Sequence, residues 1–176
     1  MKATRIFAAC ALLLAAITAA AEPLAEFEQI VARCRAAVAD PFVQVVQVPQ
    51  GAQWVKRAFW PAAAVEFDVV ESTSLVAPVT AWISFGVGIA TGRADTREAA
   101  EALPLGQDHP QVTRQTVRLQ FAHKAGAWEP VGGSFAYSMR TRAGEPFSAP
   151  SSIEVKREAF ADPLSMAGRC VLARAQ

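Results

Sequence analysis

Two carboxylates in the segment AVEFDVV are spaced so that they could act as an acid–base pair. Glu66 and Asp68 lie two residues apart, which places both side chains on the same side of a β-strand. When two carboxyl groups share a cleft, one pKa rises, as general acid–base catalysis requires. Charged groups on the wet side of a sheet more often contact only solvent. The pair therefore supports a hydrolase or isomerase as one alternative function.

The other groups capable of chemistry form no recognisable catalytic site. His109 follows Asp108 in a polar loop, a pattern typical of a solvated loop although it also allows a surface metal site, and His123 lies at the end of a predicted strand. The sequence contains no G-x-S-x-G or S-x-x-K nucleophile motif and no glycine-rich phosphate-binding or dinucleotide-binding motif. We therefore predict no catalytic residue, no metal site and no cofactor.

Tryptophans on predicted strands are the most distinctive candidates for ligand binding. Alternation places Trp54 and Trp60 on one side of the segment QWVKRAFW, with Lys56 between them. Trp82 is the one large group on the glycine-bearing side of a later strand. Exposed tryptophans frequently anchor protein or ligand interfaces, whereas buried ones pack in a core, here under the N-terminal helix. We predict Trp54, Trp60 and Trp82 as ligand-binding residues and leave core packing as the alternative.

The first residues have the layout of a secretory signal peptide. Lys2 and Arg5 precede an apolar run, and small residues follow it before Glu22. The run from Ile6 to Ile17 is about a dozen residues, shorter than the roughly 20 that a membrane-spanning helix needs. We predict residues 1–21 to be a cleaved leader and residues 22–176 to form one domain, without a membrane span after cleavage.

Two cysteines remain after the leader, and they predict one disulfide. Cys34 and Cys170 would close a loop of about 136 residues, and paired thiols in an exported chain usually form a bridge. Two isolated thiols lack the ligand spacing of a zinc site. We therefore expect a periplasmic or secreted protein whose first helix is tied to a segment near Cys170.

The charge of the chain argues against a nucleic-acid partner. Of the 17 basic and 16 acidic residues, the leader removes Lys2 and Arg5 and no acid, which leaves 15 and 16 and a formal charge of −1. A protein that neutralises phosphates would carry a basic stripe. A protein bound to a membrane surface would show a basic amphipathic helix, and neither pattern is visible.

The periodicity of apolar residues indicates which elements must position these side chains. Leu24–Ala39 has apolar residues at helical spacing, and Asp40-Pro41 ends that helix. From Val79 to Ile89, apolar residues alternate with mostly small ones, which predicts a curved strand and not a membrane helix. Short alternating runs elsewhere predict further strands, including hairpins at residues 42–60 and 112–128. Asp95 and Asp162-Pro163 have the positions of helix caps.

The predicted fold is α+β, with an N-terminal helix on a curved, mainly antiparallel sheet of about six or seven strands. The predicted function is an exported, non-catalytic binding or interaction module. Its partner would be a protein or a small apolar ligand of the cell envelope. Besides the carboxylate enzyme, the alternative is an inhibitor of a secreted hydrolase that inserts the loop around His109 or the segment Glu145–Pro150.

Overall fold

Helix α1 (Ile6–Ala39) supports one face of the sheet in the computed structural model, which describes residues 6–48, 52–61, 63–163 and 165–172 and side chains from Pro23 onward. Its buried stripe consists of Phe27, Val31, Cys34 and Val38. These residues repeat at intervals of four, three and four, and the predicted amphipathic helix is confirmed. It ends before Asp40-Pro41 as expected.

The start of α1 differs from the prediction of a helix beginning at Leu24. The helix runs through Pro23 and continues back to Ile6. The residues before Pro23 are rich in alanine and leucine, which have the highest helix propensities. No helix among the described residues carries an apolar stretch long enough to cross a bilayer. The boundary of the leader at Ala21 stays a prediction.

Seven strands form one antiparallel sheet in the described part of the chain. They are β1 (Phe42–Gln47), β2 (Trp54–Pro61), β3 (Glu66–Glu71), β4 (Val79–Ala94), β5 (Val112–Lys124), β6 (Ala127–Arg140) and β7 (Ser151–Glu154). Their order is β1-β2-β4-β5-β6-β7, and β3 also pairs with β4. Since β5 occupies one side of β4, strands β2 and β3 share the other side, at residues 87–94 and 79–84 of β4 respectively.

The predicted strand at Val79–Ile89 is confirmed as the first part of β4. Its odd-numbered residues Ala81, Ile83, Phe85 and Val87 are buried. They pack with Val117, Leu119 and Phe121 of β5 and with the apolar stripe of α1. The predicted hairpins β1–β2 and β5–β6 are also present. The turn expected at Pro49–Gly51 lies outside the described residues.

A β-bulge in β6 decides which face receives Trp128. The register of β5 with β6 shifts between Gln120 and Phe121, so that Val131 is an extra residue. Such a shift moves later side chains to the opposite face. Trp128 therefore lies on the α1 side, where its indole N–H donates to the carbonyl of Pro23 at 2.8 Å. The bulge thus attaches the β5–β6 hairpin to the helix.

Two short α-helices and a 3-10 helix (Arg157–Phe160) complete the described fold, and the caps predicted for the two α-helices were wrong by a few residues. For α2 (Arg97–Ala102) the cap is Thr96, whose hydroxyl accepts from the amide of Ala99 at 3.1 Å. For α3 (Met166–Leu172), Ser165 accepts from the amide of Gly168 at 2.8 Å. A capping side chain accepts from an amide two or three residues on, and here Thr96 and Ser165 each accept from the amide three residues on. Asp95 and Asp162 precede these positions by one and three residues.

Replacing the cap of α2 tests this correction. Thr96→Ala removes the hydroxyl that accepts from Ala99, and we expect the free energy of unfolding to fall by about 1 kcal/mol. Asp95→Ala is the matched control and should change it by less than about 0.5 kcal/mol. Urea denaturation of both variants measures the difference. A larger loss with Asp95→Ala would restore Asp95 as the cap.

The predicted disulfide is present and joins α1 to α3. Cys34 and Cys170 are bonded, with a sequence separation of 136 residues, and both are fully buried. Nearby, Arg169 donates to the carbonyl of Ala37 at 3.2 Å, and its guanidinium lies 3.7 Å from the ring centroid of Phe42. The bridge fits a protein of an oxidising compartment.

Candidate functional site

The sheet face opposite α1, which we call the open face, carries the candidate site. One end of this face is covered by α2, whose Ala100 is buried together with Ala58, Ala90 and Val112 of the sheet. Lys56 fixes α2 in place, since its ammonium donates to the carbonyls of Glu101 and Leu103 at 2.7 and 2.6 Å. These carbonyls lie at the C-terminus of the helix, where a cation is favoured. The open face beyond α2 has no helix over it among the described residues.

Trp60 and Trp82 lie on the open face, away from α1. Phe59, the neighbour of Trp60, points to α1 and is buried, whereas Trp60 is half-buried on the other side. Core packing of the tryptophan pair under the N-terminal helix is therefore wrong, because the parity of β2 assigns that position to Phe59. Whether Trp60 and Trp82 contact a ligand stays a prediction.

The third predicted residue, Trp54, does not join the other two. It lies six residues from Trp60 on the same strand, a separation of about 20 Å. Its ring contacts Arg97 of α2, whose guanidinium lies 5.8 Å from the ring centroid. Lys56, bound to α2, lies between the two tryptophans. Trp54 thus belongs to the surroundings of α2 and not to the uncovered part of the open face.

Glycine in β4 allows Trp60 to lie against the sheet. Gly88 is the register partner of Trp60, and a Cβ atom at position 88 would overlap the indole ring. Glycine inside a strand marks a bulge, a bend or a close approach of another group. At Gly88 the structure shows the close approach, made by a side chain from the neighbouring strand.

Two arginines on β5 face the uncovered part of this surface, and each is stacked on an aromatic ring. The guanidinium of Arg118 lies 4.4 Å from the ring centroid of Trp82, and that of Arg114 lies 4.1 Å from the centroid of Phe147. Arg114 and Arg118 are exposed. They are four residues apart on one strand, which separates them by about 13 Å. A stacked guanidinium keeps its N–H edge available for a carboxylate or phosphate.

Neither arginine has an acidic partner among the described residues. The ion pairs in this part of the chain are Arg97–Glu101, His123–Glu26 and Arg142–Glu145. The register places Glu66, Ser84, Arg118, Ser134 and Glu154 in one row across five strands. Glu66 and Glu154 are two strand spacings from Arg118, about 10 Å in each direction. Carboxylates thus border the arginines without neutralising them.

The predicted acid–base pair lies at the margin of the open face. Glu66 and Asp68 are both exposed on β3. Asp68 accepts a hydrogen bond from the amide of Val69 at 2.9 Å. Neither carboxylate is enclosed in a cleft, because both side chains are exposed to solvent. The structure therefore gives no support to the carboxylate enzyme, which stays an untested hypothesis.

The two histidines lie in different parts of the molecule. His109 contacts Gln111, with its Nδ1 2.9 Å from the carbonyl oxygen, while His123 lies 3.7 Å from Glu26 on α1. In the described ranges no group of three or more His, Cys, Asp and Glu side chains is arranged to hold a metal ion.

The two segments proposed for an inhibitory loop occupy different positions relative to the open face. The loop around His109 lines a notch of about 660 Å³ together with Thr91, Arg93 and Leu103. The segment Glu145–Pro150 folds back onto the sheet, where Phe147 stacks on Arg114 and Ser148 bonds to the backbone of Met139.

No family model matches the chain, and no curated protein or solved structure is significantly similar to it. The function must therefore be argued from the residues of the open face.

Sequence reasoning found part of this site. Alternation on β5 predicts an outward Arg118, and the same parity applies to Arg114. The contact of Phe147 with Arg114 was missed, because Phe147 lies in a proline-rich loop without periodicity. Two arginines at positions i and i+4 on the outward side of a strand were the signal available in the sequence.

Proposed function

We propose that the protein is an exported, non-catalytic binding module whose open face binds an acidic segment of a protein partner in the cell envelope. The observation that carries the proposal is the pair of exposed, aromatic-stacked arginines, Arg114 and Arg118, without a carboxylate partner among the described residues. Guanidinium groups pair with carboxylates through two parallel hydrogen bonds. Trp60 and Trp82 add apolar surface beside them.

The spacing of the arginines favours an extended peptide. An extended chain rises about 3.3 Å per residue and repeats its side-chain direction every second residue. Acidic residues four positions apart would therefore lie about 13 Å apart on one side, which matches Arg114 and Arg118. A small apolar ligand fits less well, because such ligands are mostly enclosed in concave, apolar sites, whereas both arginines are exposed.

Export also forms part of the proposal. The leader-like residues 1–21 and the Cys34–Cys170 disulfide both support a periplasmic or secreted location. The formal charge of −1 after residue 21 means that attraction to acids must come from a local site and not from the whole molecule.

Titration with a defined acidic peptide tests the binding site. The probe is a fluorescent peptide in which glutamate recurs at every fourth position between serine and threonine residues. We expect Arg114→Gln with Arg118→Gln to weaken binding at least tenfold, because a hydrogen bond to a charged group contributes about 1.5–3 kcal/mol. Fluorescence anisotropy measures the affinity, and binding should weaken as salt is added.

The matched control is Arg57→Gln with Arg157→Gln, which removes two exposed arginines that lie outside the open face. This variant should bind the peptide as the wild type does. A second probe with glutamine in place of glutamate should not bind. Equal loss of affinity in the two double variants, or equal binding of the two peptides, would contradict the proposal.

A further inference from the structure

The notch beside the loop around His109 is a cavity that the proposed function does not use. It lies where β4 extends beyond β5, since the pairing of these two strands ends at Ala90 and Val112. Residues 91–93 of β4 form one wall, and residues between α2 and β5 form the other. The volume of about 660 Å³ lies within the range of small-molecule sites, roughly 300–1,000 Å³. The notch is therefore large enough for a small organic ligand.

Contacts from the sheet hold the second wall in place at both ends. Lys56 donates to the carbonyl of Leu103 at 2.6 Å, and Arg140 donates to the carbonyl of His109 at 3.4 Å. The ring of His109 is fixed in turn by the backbone of Gln111, with Nδ1 2.9 Å from the carbonyl oxygen and 3.2 Å from the amide nitrogen. The wall is thus formed before a ligand arrives, which lowers the entropic cost of binding.

One side of the notch is apolar and consists of Leu103, Pro104 and Leu105. The two leucines lie close to β4 because Gly92 has no side chain. A Cβ atom at position 92 would lie 2.7 Å from Cδ1 of Leu103 and 3.3 Å from Cδ2 of Leu105. Both leucines are only half-buried, and Pro104 is exposed. An apolar group placed here would remove their remaining surface from water, which is favourable.

The polar side of the notch favours a negatively charged group. Arg93 is the only permanently charged residue among those that line it, and none of them is acidic. Arg93 is exposed and forms no ion pair within the described part of the chain. Where Nδ1 of His109 accepts from the amide of Gln111, the ring proton is on Nε2, which can donate to a ligand. One cation and one neutral donor match a single negative charge, as in a carboxylate, better than a dianion.

We propose that the notch binds a small organic acid, with its carboxylate at Arg93 and His109 and its apolar body against Leu103, Pro104 and Leu105. A few polar groups that fix orientation beside an apolar wall are typical of ligand sites. This site is separate from the pair Arg114 and Arg118, and the inference does not rest on the proposed peptide binding.

Titration of the full chain with 3-phenylpropionate, followed by amide NMR spectra, tests the site. We expect the largest shifts at the amides of Gly92, Arg93, Leu105 and Gln111. Arg93→Gln should raise the Kd at least about fivefold, because the charge-assisted hydrogen bonds to the carboxylate are lost. Leu105→Ala should also weaken 3-phenylpropionate, by at least about threefold, but should not weaken acetate, which has no extended apolar body. The same spectra show whether each variant is folded.

Arg157→Gln is the matched control, since it removes an exposed arginine of the 3-10 helix that does not line the notch. It should bind 3-phenylpropionate as the wild type does. The neutral 3-phenylpropanamide should bind at least about fivefold more weakly than the acid. The inference is overturned if the wild type does not bind the acid, if acid and amide bind equally, or if Arg93→Gln binds as tightly as the wild type. Shifts centred on Arg114 and Arg118 would also overturn it, while leaving the proposed peptide site intact.

Discussion

Removing the Cys34–Cys170 disulfide should lower the free energy of unfolding by about 3–5 kcal/mol. The bridge restricts an unfolded loop of 136 residues, and the effect on chain entropy grows with loop length. It also joins α1 to α3, two helices that pack against each other at the edge of the core. Since a domain of this size is stable by only about 5–15 kcal/mol, the loss would be a large part of the total.

The double variant Cys34→Ala, Cys170→Ala leaves no unpaired buried thiol and is the appropriate test. Guanidinium denaturation of this variant and of the wild type, each with and without a reducing agent, measures the change. Reduction should destabilise the wild type and leave the variant unaffected. If the reducing agent leaves the free energy of unfolding of the wild type unchanged after unfolding and refolding, the bridge contributes little to stability.

Phe27→Ala should destabilise the protein by about 3–5 kcal/mol, the usual result of truncating a buried phenylalanine. Phe27 is fully buried, and its ring lies 4.7 Å from Trp128, 5.3 Å from Phe121 and 6.2 Å from Phe67, measured between centroids. Phe27 thus connects α1 to three different strands, β3, β5 and β6. Urea denaturation measures the loss.

Phe27→Leu serves as the control, because it keeps most of the side-chain volume and should be less destabilising than Phe27→Ala. The near-ultraviolet circular dichroism of the alanine variant should also change, since Trp128 loses one of its aromatic neighbours. A loss below about 1 kcal/mol for Phe27→Ala would mean that the helix is not held at this point.

Much of the fold could be predicted because burial leaves a periodic pattern in the sequence. The stripe from Phe27 to Val38 has helical spacing, and the alternation from Ala81 to Val87 identifies a strand buried on one face. The pairing of Cys34 with Cys170 followed from their being the two thiols after the leader. Each of these predictions used residues close together in the sequence or a count of one residue type.

The candidate site could be predicted only in part, because it depends on the register between strands. Parity places Trp60 and Phe59 on opposite sides of β2 but does not say which side faces α1. The row that contains Glu66, Arg118 and Glu154 requires four correct pairings across the sheet. The bulge at Val131 reverses parity, and although Pro130 and Gly132 flank it, such residues mark a bulge, a bend or a strand edge alike.

The position of Cys170 also constrains the order of events when the protein folds. Cys170 follows all seven strands in the sequence, whereas Cys34 precedes them. A chain that emerges with its N-terminus first exposes Cys34 long before its partner, so the correct cross-link can close only after the whole sheet has been released. Until then, the first thiol is open to mispairing with other molecules, and burial of α1 against the growing sheet is its main protection.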